Sequence, residues 1–143
     1  MLSEVLDGNI KIVESVESWE NSIKIASKPL LEKGMIEKKY IDAMIKSINK
    51  MGFYVVLRES LAMPHARPED GVIKTGLSLL KINKGIYYGT IKVQIVIILA
   101  ASDSNSHINI IMQLSELLQN EDDIDNLIKS FTEKDILSVL ERY

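Results

Sequence analysis

One of the chain's only two histidines lies in the string Ala62-Met63-Pro64-His65-Ala66-Arg67-Pro68, with Gly71-Val72 just beyond it. A proline fixes its own φ and pushes the preceding residue toward extended geometry. His65 is therefore carried on a stiff, non-helical segment. A neutral imidazole can offer the lone pair of one ring nitrogen while a hydrogen bond holds the other. That arrangement suits a nucleophile or a carrier of a phosphoryl group, and Arg67 is a candidate anion partner. The second histidine, His107, follows Ser102-Asp103-Ser104-Asn105-Ser106 and immediately precedes an apolar helical pattern. A helix N-terminus presents unpaired N–H groups and positive potential, which favours a bound anion and a neutral imidazole. Two histidines alone also suit zinc, but no third ligand stands at a diagnostic spacing.

The elements that must position these groups are legible as alternating patterns. Ile10–Val13 reads as a short strand after the turn signal Gly8-Asn9. Trp19, Ile23, Ala26 and Leu30 recur at helical spacing behind Ser18, a candidate N-cap, with Gly34 as a stop. Trp19 is assigned to the core. Residues 37–51 repeat the pattern through Tyr40, Ala43, Met44, Ile48 and Met51, and Gly52 stands where a C-terminal glycine is expected. Residues 53–57 read as a strand by composition. Leu61 and Met63 belong either to the core or to an apolar rim around His65, with Met63 assigned to the rim.

Residues 76–82 and 92–100 are the clearest strands, with Asn83-Lys84-Gly85 expected to turn between them. The second is apolar on both faces, so it should be central and covered twice. Three helices complete the chain. The first runs from Ile108 to Leu118, capped by Ser104, Asn105 or Ser106. The second carries Ile124, Leu127, Ile128 and Phe131, and its acidic run at 121–125 reads as a solvated start. The third opens on Thr132-Glu133-Lys134-Asp135, which has the form of a capping box. Helices, then strands, then helices imply a three-layer α/β/α sandwich around a central β-sheet, formed by residues 1–143 as one domain. Ligands of such sheets collect beyond strand ends, so His65 and His107 are expected in one pocket.

Composition narrows the function. The chain has 143 residues, 46% of them hydrophobic and 26% charged, with net charge −3. That describes a folded domain with no basic field for nucleic acid. It has no cysteine, which removes thiol chemistry and suits the cytoplasm. No leader is visible, and the longest apolar run, residues 95–101, falls far short of the roughly 20 residues of a membrane span.

The motif Met-Pro-His-Ala-Arg-Pro-x-x-Gly-Val, with a second histidine opening a helix after an apolar strand, resembles the type-2 (mannitol/fructose-like) EIIA domains. These belong to the bacterial phosphoenolpyruvate-dependent sugar phosphotransferase system. The resemblance covers essentially the whole chain, and the strings 61–76 and 100–107 look most like the ascorbate-specific branch. It implies a mixed sheet between helix layers and a phosphotransferase role with no cofactor. In that role His65 takes a phosphoryl group on Nε2 from the carrier protein HPr. It passes the group to a cysteine of EIIB, which serves an EIIC permease, for L-ascorbate or a related sugar. The resemblance also implies that His107 lines the same pocket and steadies the phosphate. The phosphate-binding role of Arg67 is an inference from its place in the motif. Some relatives carry an arginine after the second helix, where this chain's nearest basic groups are Lys50 and Arg58. Two alternatives remain: a regulatory EIIA-like domain, nitrogen-type or derived from a transcription activator, whose phosphorylation on His65 controls partner binding, and a non-catalytic module of the same fold.

Overall fold

A computed structural model describes residues 1–103, 105 and 108–143 of the chain. Three of the residues singled out from the sequence, Ser104, Ser106 and His107, lie outside the described residues. Among those described, five strands form one mixed sheet between two helix layers. Strand β1 (Ile10–Val13) lies parallel beside β4 (Gly76–Tyr88), which pairs antiparallel with β5 (Ile91–Ala100). Beyond β5 come β3 (Ser60–Ala62), parallel to it, and β2 (Val56–Arg58), antiparallel to β3. The order β1-β4-β5-β3-β2 makes β5 the middle strand, as its apolar faces require.

Alternation along β5 divides the core. Val96, Ile98 and Ala100 face a cluster built with Ile23, Ala26 and Leu30 of α2 (Trp19–Glu32) and Tyr40, Met44 and Ile48 of α3 (Lys38–Met51). Ile95, Ile97 and Leu99 face the other side. There they meet Leu2 and Leu6 of α1 (Leu2–Leu6), Leu114 and Leu117 of α4 (Ile108–Gln119), and the apolar faces of α5 (Glu121–Lys129) and α6 (Glu133–Leu140). Burying a leucine or isoleucine side chain is worth about 2 kcal/mol, so the doubly covered strand contributes strongly to stability on both faces of the sheet.

Local chemistry delimits the helices where the sequence suggested. The Ser18 hydroxyl accepts from the Asn21 N–H at 3.0 Å, and α6 carries the Thr132/Asp135 capping box. Gly52 ends α3 at φ 89°, where any side chain would be strained. Pro29 is accommodated inside α2.

Several sequence expectations need correction. Strand β4 runs through residues 83–85 as an irregularity between Lys81 and Ile86, and the hairpin turns at Gly89-Thr90. Gly89 has φ 65°, and a Cβ there would press on the Phe53 ring at 2.9 Å. The strand expected over 53–57 is reduced to Val56–Arg58. Phe53 leaves it to pack edge-on against Trp19, with centroids 5.4 Å apart, and near Tyr88. Trp19 thus joins the core margin, as assigned. Leu61 is fully buried, and Met63 is half-buried, packed against the core cluster that holds α4. Phe131 is not on the buried face of α5: it follows the helix and is 85% exposed, with Lys81 Nζ above its ring.

The acidic run at 121–125 is also not uniformly solvated, because Asp123 is only 1% exposed. Its carboxylate accepts from the Arg142 guanidinium and from the Tyr143 hydroxyl, while the Tyr143 carbonyl accepts the Leu2 N–H at 2.9 Å. Asp123 therefore ties the C-terminus to α5 and, through it, to α1. Charge-assisted hydrogen bonds of this kind contribute about 2 kcal/mol. Asp123→Asn is expected to lower the urea-unfolding free energy by about that amount. An unchanged midpoint and slope would mean that the clamp contributes nothing.

Candidate active site

Strands β3 and β5 run parallel, so they end on the same side of the sheet, and the segment carrying His65 leaves from there. The register pairs Ala62 with Val96. Continued three residues on, it sets His65 opposite Leu99. The Leu99 N–H still donates to the Pro64 carbonyl at 3.2 Å, and the Met63 N–H donates to the Val55 carbonyl at 2.8 Å. Buried Pro64 keeps this stretch extended.

Within that frame His65 Nδ1 lies 2.8 Å from the carbonyl oxygen of Met63. A carbonyl only accepts, so Nδ1 is the donor, and in the neutral ring this favours the tautomer that leaves the Nε2 lone pair free. The edge of one ring faces the other at Tyr54, with centroids 6.0 Å apart and planes at 88°. The half-exposed imidazole opens onto a cleft of about 600 Å³. One wall is the last turns of α3, through Lys46, Ser47, Lys50 and Met51; the other is Ala66, Arg67 and Asp70. The cleft is thus lined by three cations and one carboxylate, a field suited to a small anion.

Of the residues named from the sequence, His65 and Arg67 share this cleft, and His107 lies outside the described residues. Arg67 is not a free anion receptor. Its Nε stands 3.4 Å from Glu69 and 3.5 Å from Asp70, on a side chain 76% exposed. Lys50 lines the cleft, whereas Arg58 donates from Nη1 to the Leu118 carbonyl of α4 at 3.1 Å. So of these two basic groups, Lys50 is the one beside His65. Lys46, Ser47 and Tyr54 were not singled out from the sequence. The 46/50 spacing, which stacks two lysines on one helix face, was the signal.

Tyr40, one residue of the helical face read from the sequence, is fully buried. Its hydroxyl donates to the Leu99 carbonyl at 2.7 Å and accepts the Ala66 N–H at 3.0 Å. Burial pushes its pKa up to about 12, partly offset by the hydrogen bond with Ala66. Burial also raises that of Tyr88.

Among the described residues no helix is long and apolar enough to cross a membrane, and no group of three acidic or histidine side chains is placed to hold a metal. Residues 5–143 match the family described as phosphoenolpyruvate-dependent sugar phosphotransferase system, EIIA 2. The chain is 36% identical over 138 residues to the mannitol-specific cryptic phosphotransferase enzyme IIA component of Escherichia coli K12, covering 95% of this chain and 94% of that protein. It is 34% identical to the ascorbate-specific PTS system EIIA component of the same strain, covering 94% and 90%. The solution structure of the E. coli mannitol-specific cryptic enzyme IIA superposes with a TM-score of 0.93 at 35% identity, covering 99% of each chain. The E. coli complex of mannitol enzyme IIA with phosphorylated enzyme IIB gives 0.81 at 28%, covering 95% of this chain and 96% of that one.

The buried phenols set a pH dependence. An unfolded tyrosine ionises near pH 10, whereas folded Tyr40 does so at about 12. The folded state therefore retains a proton that the unfolded state gives up, and stability contributed below about pH 10 is lost as the pH rises toward 12. Urea midpoints are expected to fall above pH 10, less steeply in Tyr40→Phe than in the wild type. Equal slopes would show that Tyr40 ionises as freely folded as unfolded.

Proposed function

The chain belongs to the EIIA type-2 family of the phosphoenolpyruvate-dependent sugar phosphotransferase system, and on that premise we propose that His65 is its phosphoryl carrier. In this reading Nε2 attacks the phosphorus of phospho-HPr. A P–Nε2 bond forms as the bond to the donor breaks, and the ring keeps its Nδ1 proton throughout. The observation that carries the proposal is the Nδ1 contact with the Met63 carbonyl. It favours the tautomer that keeps the lone pair on Nε2, and it stabilises the positive charge that the ring gains on attack.

Transfer then continues to a cysteine thiolate of an EIIB partner. Sulfur attacks phosphorus and Nε2 departs with its electron pair, which restores the starting tautomer. Phosphoryl transfer through a loose transition state depends on in-line positioning and charge stabilisation. Lys46 and Lys50 supply positive potential from one wall of the cleft. Arg67 is held back by Glu69 and Asp70, so in this reading it reaches the phosphoryl group only by exchanging a carboxylate for it. His107 is proposed as the second pocket histidine, steadying the phosphoryl group in neutral form. A relay must also release its cargo, and a cleft lined by lysines rather than a closed arginine cage satisfies both demands.

The similarity to a protein found in complex with phosphorylated enzyme IIB supports an EIIB component as acceptor. In the same reading HPr is the donor, an EIIC permease lies downstream, and the relay works at the cytoplasmic face. The transported solute is proposed as L-ascorbate or a related sugar. Identity to the mannitol-specific cryptic relative is slightly higher, 36% against 34%, and in this reading the EIIB that accepts the phosphoryl group decides the sugar.

The test is transfer of labelled phosphate from phosphoenolpyruvate through Enzyme I and HPr, with candidate EIIB proteins as acceptors. His65→Ala is expected to take no label, and His107→Ala to retain label but pass it on slowly. Lys50→Ala is expected to slow loading several-fold, most at low salt, because screening weakens such fields. Strong label on the His65→Ala protein would refute the assignment.

A further inference from the structure

The segment around His65 continues the β3–β5 ladder in all but one rung. In a parallel pair, the residue opposite His65 donates its N–H to the carbonyl before the histidine and accepts at its own carbonyl from the N–H after it. Leu99 makes the first bond directly, to Pro64 at 3.2 Å. The second is interrupted by a side chain. The Tyr40 hydroxyl accepts from the Ala66 N–H at 3.0 Å and donates to the Leu99 carbonyl at 2.7 Å. A phenol from the helix layer is thus spliced into the sheet at the rung that carries His65, and its ring is held rigidly by full burial in the core.

We propose that Tyr40 is a positioning residue for phosphoryl transfer: by bridging Ala66 and Leu99 it sets the backbone angle of His65 and so aims Nε2 into the cleft. Two observations point the same way. The inserted hydroxyl holds the strands apart on one side of His65 only, since the Pro64 bond remains direct, so it tilts the histidine rather than releasing it. The bond that sets the tautomer also depends on this backbone, because Met63 O and His65 Nδ1 are two residues apart on the tilted segment. Without the hydroxyl, the Ala66 N–H and Leu99 carbonyl are left unpaired in the interior, or they close the rung directly and turn the imidazole with it. Either outcome moves Nε2 relative to Lys46, Lys50 and Tyr54, which stand on separate elements.

This inference rests on the reading of His65 as the phosphoryl acceptor, and the experiment separates the two. Tyr40→Phe is compared with wild type and with Tyr88→Phe. The control removes an equally buried hydroxyl, bonded to Ser22 at 2.6 Å, on a residue that does not line the cleft. Transfer from phospho-HPr is followed at varied donor concentration and pH, and the His65 ring is followed by long-range 1H–15N correlation. Tyr40→Phe is expected to lower kcat about tenfold with KM for phospho-HPr nearly unchanged, as misorientation of a reacting group does. It should also shift the pH profile and mix the ring tautomers. Tyr88→Phe should leave kcat, pH profile and tautomer as in the wild type. If Tyr40→Phe does not fold, 3-fluorotyrosine placed at position 40 keeps the shape but weakens the lone pair that Ala66 uses, and a smaller change of the same sign is expected. Wild-type kinetics and tautomer in the position-40 variant, or an equal loss in Tyr88→Phe, would overturn the proposal. If the wild type takes no label, the carrier reading fails, and the ring spectra of the position-40 variant alone decide whether Tyr40 positions His65.

Discussion

The whole arrangement depends on a parallel pairing that outlasts its strand. β3 is only three residues long, yet its register with β5 carries on through Pro64 to Leu99 and delivers His65 to the end of the sheet in extended form. A histidine on an ordinary loop would sample several ring orientations, and the entropy of fixing it would be charged to every transfer. Here the sheet has already met that cost, because β5 is buried on both faces and cannot shift by one residue without sending Val96, Ile98 and Ala100 to the wrong layer.

Magnitudes show what each contact can and cannot do. A neutral hydrogen bond such as that from Nδ1 to the Met63 carbonyl is worth about 1 kcal/mol, roughly a fivefold bias between tautomers. That is a preference rather than a lock. The remaining discrimination must come from orientation: the edge-on Tyr54 ring, the fixed backbone on either side and the direction in which the cleft opens. The cations act differently. Lys46, Lys50 and Arg67 reach in from two walls, and Arg67 is already engaged with carboxylates. Such a field draws an anion in without binding it tightly, which is what a relay between two partner proteins requires.

Much of this could be read in the chain. The Pro-His string and the doubly apolar run at residues 92–100 carried the essentials, because each records a local constraint: a fixed φ in the first case, burial on two faces in the second. Ser18, Gly52 and Thr132 were legible for the same reason. What was not legible depended on partners distant in sequence. Residues 83–85 have turn composition, yet the strand absorbs them as a bulge because the hairpin closes at Gly89 against Phe53. Asp123 has the type and setting of a solvated acid, and only the folded position of Arg142 and Tyr143 buries it. Tyr40 read as one apolar residue of a helix face; its hydroxyl acquires meaning only once the rung opposite His65 is known. Phe131 matched the α5 period but falls beyond the end of that helix.

The central claim is that the sheet presents His65 with Nδ1 protonated and Nε2 free to react. The most direct measurement is the ring 15N spectrum of His65 before and after phosphorylation with phosphoenolpyruvate, Enzyme I and HPr. The account expects the Nδ1–H tautomer to dominate in the free protein and the phosphoryl group to appear on Nε2. A phosphoryl group on Nδ1, or a free ring protonated mainly at Nε2, would contradict it.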